Sequence, residues 1–136
     1  MANWWGFDYT STWSDPVHRP LIQIELSNHD KSIPTSALVD SGTDTTMVDA
    51  EIASELGINL RLCTEIPVSG IGKTKGRKCD VNLTLSQNGV ALYIKDMSVV
   101  FVENLPFGVL LGQKDFFNAV DIRFEKRNNR FFLKKI

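Results

Sequence analysis

The stretch ALVDSGTDTTMV, residues 37–48, runs three apolar residues straight into Asp40 and follows it with Ser41, Gly42 and Thr43. An apolar run that ends on a carboxylate, with a glycine two residues behind it, admits two readings. One is a strand end followed by a surface turn, for which Asp, Ser and Gly are ordinary material. The other is a carboxylate held at the end of a buried strand because a reaction needs it there. The rest of the chain bears on the choice.

At 136 residues the chain is of single-domain size and long enough to bury a core without disulfides or metal. Its 43% apolar and 23% charged residues are those of an ordinary globular domain. A net charge of −1, with no basic stripe, gives no reason to expect a nucleic-acid partner. The longest apolar runs, such as VVFV at 99–102, are far too short to span a bilayer. The opening MANWWGFDYTSTW has neither a charged leader nor an apolar segment of signal-peptide length, so export is not expected. Two cysteines, Cys63 and Cys79, fit a reducing compartment, where such thiols are usually buried small residues. The expectation is a cytoplasmic protein with no membrane and no nucleic-acid partner.

Strand signals dominate. RPLIQIEL (19–26) alternates apolar and polar positions, and NHDK (28–31) closes it as a turn. TSALVD (35–40) reads as a second strand whose apolar centre predicts burial on both faces. Residues 64–85 have strand-forming arms around a Gly-rich tip, residues 90–105 supply more strand, and 120–136 form a terminal hairpin turning at Asn128-Asn129. Only two places look helical. In VDAEIASELGIN (48–59) Asp49 is the expected N-cap and Gly57 the stop, and a shorter turn is expected within 112–120. The first 19 residues, aromatic but without a pattern, form an N-terminal arm preceding a domain over 20–136. The fold class is all-β, compact, with short strands that close into a barrel or sandwich.

Other chemistries fail on spacing. GIGKTKG (70–76) ends like a phosphate loop, but Pro67 stands where its first glycine belongs and no amphipathic helix follows. His18, His29, Cys63 and Cys79 share no metal-ligand spacing, so no metal and no other cofactor is expected. The G-x-S-x-G signature of a serine nucleophile is absent. Asp40 remains. General acid–base hydrolysis asks one carboxyl to accept a proton while another donates one, and two carboxyls about 3 Å apart share a proton and fill both roles. No second Asp-Ser/Thr-Gly occurs in the chain, since Asp96, Asp115 and Asp121 all lack the following residues. The second carboxylate would come from another copy across a two-fold axis.

Three segments, in order, resemble the retropepsin-like aspartic proteases, the single-lobed homodimeric relatives of pepsin. LVDSGT (38–43) resembles their Asp-Ser/Thr-Gly signature, VSGIGKT (68–74) their flap hairpin, and GVLLGQKDFF (108–117) the hydrophobic-hydrophobic-Gly motif beside the catalytic loop. The terminal hairpin is similar to that of cellular and prokaryotic members. The resemblance implies a closed-barrel-like protease lobe with one or two short helices. Its activity would be that of an endopeptidase on a peptide or protein substrate, with Asp40 of each subunit of a homodimer as the catalytic carboxylate. It implies that Ser41, Gly42 and Thr43 form the active-site loop and dimer lock. Leu38, Asp44, Gly70, Ile71, Gly72 and Leu110 would contact substrate. Each has a plainer alternative: a turn Ser, an exposed Asp, core leucines. Ile71, between two glycines on an exposed turn, is better explained by closing over a ligand than by folding.

Two departures stand out. The descending flap arm, KTKGRK, is strongly basic, which suits either acidic substrates or protection of a sheet edge. After Leu111-Gly112 the acidic residue that many relatives carry two positions on is Lys114 here, with Asp115 one place later, which shifts the expected register of the short helix. The N-terminal arm matches nothing in the family; packing at the dimer, blocking the cleft and binding a partner are its open roles. A catalytically silent module of the same fold is the alternative to an enzyme.

Overall fold

The computed structural model describes residues 4–12, 15–68 and 74–136. The N-terminal segment forms β1 (Trp5–Asp8), β2 (Thr10–Thr12) and β3 (Asp15–Arg19), with β2 and β3 paired as a small ribbon. The expected first hairpin follows as β4 (Leu21–Asn28) and β5 (Lys31–Val39). Alternation in β4 puts Ile22, Ile24 and Leu26 inside and leaves Gln23 and Glu25 outside. His29, at φ 54, makes the turn. β5 begins four residues earlier than its apolar centre suggests and passes through Pro34. Residues 31–38 of β5 pair with β4, and on the other side β10 covers only 37–39, so Pro34 has one open side where no N–H is needed.

β6 (Thr46–Asp49) leads into α1 (Ala50–Glu55). Asp49 stands at the N-cap position but makes no capping bond; its Oδ1 instead accepts from the Leu105 amide at 3.2 Å, while its own amide donates to Gly108 O. The expected cap is thus diverted to hold the 105–108 turn. Gly57, at φ +68, ends the helix as the sequence predicts. Then come β7 (Thr64–Val68), β8 (Thr74–Leu85), β9 (Leu92–Val102), β10 (Val109–Leu111), α2 (Phe116–Ala119), β11 (Val120–Glu125) and β12 (Arg130–Lys135). The last hairpin turns through a 3₁₀ segment, Lys126–Asn128, and Asn129 at φ 49, a wider connection than a two-residue Asn-Asn turn.

The strands β4-β5-β10-β6-β9-β8 hydrogen-bond in that order, and β8 pairs back to β4 through Glu25↔Thr84, Leu26↔Leu83 and Ser27↔Asn82. Six strands therefore close on themselves, which leaves the ring open where β5 outruns β10. β7 extends outside the ring on β8. A second sheet, β1-β12-β11, packs its inner face on the same interior: Phe7, Phe131 and Leu133 join the main core with Ile22, Leu83 and Leu111. Phe7 is 1% exposed and stacks on Phe131 with centroids 5.2 Å apart. On the outer face Arg123 lies over both Phe132 and Trp4. Trp4, Trp5 and Phe7 of the N-terminal segment are used in this sheet.

Candidate active site

Asp40 follows directly on β5. Within that strand Ala37 and Val39 point into the main core, and Leu38, half-buried, points the other way into a smaller cluster built on Met47, Val68, Val100, Val102 and Leu110. Both faces are covered, as the apolar run predicts. Asp40 continues the alternation onto Leu38's side. Its amide donates to Leu111 O at 3.0 Å, so the carboxylate leaves the chain where the ladder to β10 ends.

Beyond that point the loop folds on itself. The Gly42 amide donates to Asp40 Oδ1 at 2.9 Å, which fixes the carboxyl's orientation from within its own loop. A Cβ on Gly42 would sit 3.2 Å from that oxygen, tighter than an ordinary contact, so the glycine leaves the carboxylate room as well as exposing backbone. Ser41 and Gly42 are exposed, and Asp40 is half-buried. Thr43 is turned inward, its Oγ1 donating to Thr45 O at 2.9 Å.

The loop is then strapped down by the segment after β10. Gly112 N donates to Thr46 Oγ1 at 3.2 Å, Gln113 N to Thr43 O at 2.9 Å and Lys114 N to Asp44 O at 2.9 Å. Gln113 Nε2 reaches Ser41 O at 2.8 Å. β10 itself runs parallel to β5, with Leu110 opposite Leu38, and antiparallel to β6, with Leu110 opposite Met47. One short strand thus spans the two strands that flank the loop. A Cβ at Gly112 would come within 2.8 Å of main-chain atoms of Thr43 and Thr45, so the close approach requires glycine. Thr46 and Gln113 were not marked by the sequence. Asp115 takes up the shifted register: at φ 64 it lets α2 start at Phe116, and its Oδ2 accepts from the Ser98 amide at 3.1 Å.

A pocket of about 260 Å³ opens beside the loop, walled by residues 42–45 on one side and by Met47, Ile66, Pro67, Val68 and Val100 on the other. Gly42, Thr43 and Asp44 line it, and Asp40 and Ser41 precede them in the same loop. Leu38 and Leu110 lie in the apolar cluster that supports its floor, with Leu110 buried. Gly70, Ile71 and Gly72 lie outside the described residues. Between the paired strands β7 and β8, Glu65 bridges Lys75 at 3.2 Å and Arg77 at 3.0 Å, so part of the basic arm's charge is matched by the neighbouring strand. Among the described residues no group of three or more His, Cys, Asp or Glu side chains is placed to hold a metal ion, and no helix is long and apolar enough to cross a membrane.

No family model and no curated protein matches the chain. Solved structures do. A retropepsin-like aspartic protease from Rickettsia conorii superposes with a TM-score of 0.67 at 14% identity, over 97% of this chain and 92% of that one. The fold is that of a retropepsin lobe. The EIAV protease complexed with the inhibitor HBY-793 matches at 20% identity over 79% of this chain and 92% of that one, with a TM-score of 0.48. The retroviral protease-like domain of Ddi1 from Leishmania major matches at 13% identity over 85% and 94%, also with a TM-score of 0.48. At 14% identity the likeness to the Rickettsia conorii structure fixes the retropepsin fold and nothing finer. The all-β barrel with two short helices is the architecture that the sequence predicts.

Proposed function

We propose that the protein is a homodimeric aspartic endopeptidase of the cytoplasm, in which two Asp40 carboxyls, one from each subunit, hold one proton between them. The ionised Asp40 takes a proton from water as the oxygen attacks a peptide carbonyl. The protonated one gives its proton to the carbonyl oxygen, and the tetrahedral adduct then collapses with proton transfer to the leaving nitrogen. Ser41 would bond across the axis, and Asp44 would receive backbone amides of an extended substrate. The pocket beside the loop would take an apolar side chain.

The observation that carries this reading is a half-buried carboxylate oriented by Gly42 N–H in a strapped loop, whose next residues wall a pocket with Met47, Ile66, Val68 and Val100 on its far side. A silent binding module would have no use for that carboxylate. Subunit mixing tests the reading. Asp40→Asn should keep the fold and lose activity by about 10²- to 10⁴-fold, the range of a lost general acid–base group. Equal amounts of wild-type and Asp40→Asn protein, allowed to exchange subunits, should show roughly half the wild-type activity, because random pairing leaves about half of the wild-type chains together. Undiminished activity after demonstrated exchange would refute the shared site.

A further inference from the structure

Cys63 and Cys79 face one another at the root of the β7–β8 hairpin. The ladder pairs Thr64 with Lys78, and one step back the same register sets Cys63 opposite Cys79. Both are half-buried free thiols, and Cys63 Sγ donates to Asn59 O at 3.7 Å. Directly opposed residues of an antiparallel pair have Cα atoms about 4.5–5.5 Å apart. That spacing falls within the roughly 4.4–6.8 Å that a disulfide accepts. Cys63 ends a 3₁₀ turn, with its amide donating to Leu60 O, and its carbonyl accepts from Arg77 Nη1 at 3.3 Å, so its backbone is already anchored. β7 itself is held by one neighbour: among the described pairings it meets β8 alone.

We propose that Cys63 and Cys79 are a redox-modification site, closing reversibly into a disulfide that ties the start of β7 to β8, with a low-molecular-weight disulfide such as oxidised glutathione as the oxidant. Burial, and then the neighbouring Cys79, push the Cys63 thiol up to about 11 against the pull of Arg77. Cys79 gives up its proton to solvent as its sulfur attacks the oxidised glutathione and displaces one glutathione thiolate, leaving a mixed disulfide on Cys79. Cys63 then gives up its proton to solvent as its sulfur attacks Cys79 Sγ, and the second glutathione leaves as a thiolate that takes up a proton. Two protein thiols have lost two electrons, and one glutathione disulfide has become two thiols. The staple encloses the whole hairpin and removes the freedom of β7 to peel from its single neighbour.

The site does not depend on peptidase activity, and its test uses none. The full chain is equilibrated in glutathione buffers from fully reduced to oxidised, its remaining thiols are blocked with N-ethylmaleimide, and its mass is read under non-reducing conditions. The expected result is a single passage from two blocked thiols per chain to none, with a digest containing Cys63 linked to Cys79. Amide exchange over residues 64–68 should slow several-fold in the oxidised form. Cys63→Ser should instead retain one glutathione on Cys79 and show no slowing. Two blocked thiols at every ratio, a bond between chains, stable glutathione on the wild-type protein, or an internal disulfide that leaves 64–68 exchanging as before would each overturn the proposal. The wild-type measurements decide it alone if the serine variant does not fold.

Discussion

Gly112→Ala tests whether the loop carrying Asp40 is held by backbone contact with the segment after β10. The added Cβ would lie 2.7 Å from Thr45 O, against 3.4 Å for an ordinary contact, a shortfall of about 0.7 Å. Thr43 O, at 2.8 Å, crowds the same methyl. Both obstacles are main chain, so neither can rotate away, and Thr43 O already accepts from Gln113. The loop must retreat. Overpacking of this kind costs about 1–3 kcal/mol, to be read as a lowered midpoint of urea unfolding at fixed protomer concentration. If the loop carries the catalytic carboxyl, a displacement of several tenths of an ångström should also lower kcat/KM by about 10-fold or more, since a 1 Å misplacement can cost about 10²-fold. The two readouts separate the claims. A variant with lowered stability and full activity would detach Asp40 from catalysis. A variant as stable and as active as wild type would show that Gly112 does not set the loop at all.

Two further substitutions probe the supports of the site and the fold. Thr46→Val nearly keeps the shape of a side chain that is 0% exposed but leaves Gly112 N–H without its acceptor, so unfolding free energy should fall by about 1–3 kcal/mol; an unchanged urea midpoint would mean that the amide finds another partner. Phe7→Ala removes a 1% exposed ring stacked on Phe131 and should cost about 3–5 kcal/mol in the same measurement, whereas near-wild-type stability would show that residues 5–8 contribute nothing to the core.

What could be read in advance follows from how local each signal is. LIQIEL announces β4 because alternation is a property of neighbouring residues, and Gly57 announces the end of α1 because a left-handed φ favours glycine. Asp-Ser-Gly is legible because its glycine answers crowding by Asp40 Oδ1 two residues before it, whereas Leu-Leu-Gly, whose glycine is crowded by the distant Thr43 and Thr45 main chain, is legible only through the family resemblance. β6 escaped notice: Thr46, Met47 and Val48 are all buried and show no alternation, and the run merges into the helix that follows. β1 escaped because its partner β12 lies at the far end of the chain, and WWGFD shows little alternation without it. Asp49 looked like a cap because the acceptor role it serves, towards Leu105, is 56 residues away. Thr46 and Gln113 carry no motif; only the fold reveals that they hold Gly112 and Ser41.

The strap over the Asp40 loop has a consequence for the order of folding. Residues 40–46 are strapped down by 111–114, some seventy positions further on, so no fragment ending before Leu111 contains any of the long-range contacts that hold the loop. Contacts this distant in sequence form late, after the entropy of closing the intervening chain has been overcome. During synthesis, which proceeds from the N-terminus at roughly 5–20 residues per second, Asp40 emerges seconds before the strap that positions it. The nascent chain therefore carries the carboxylate without its setting, and the setting arrives only when the barrel can close.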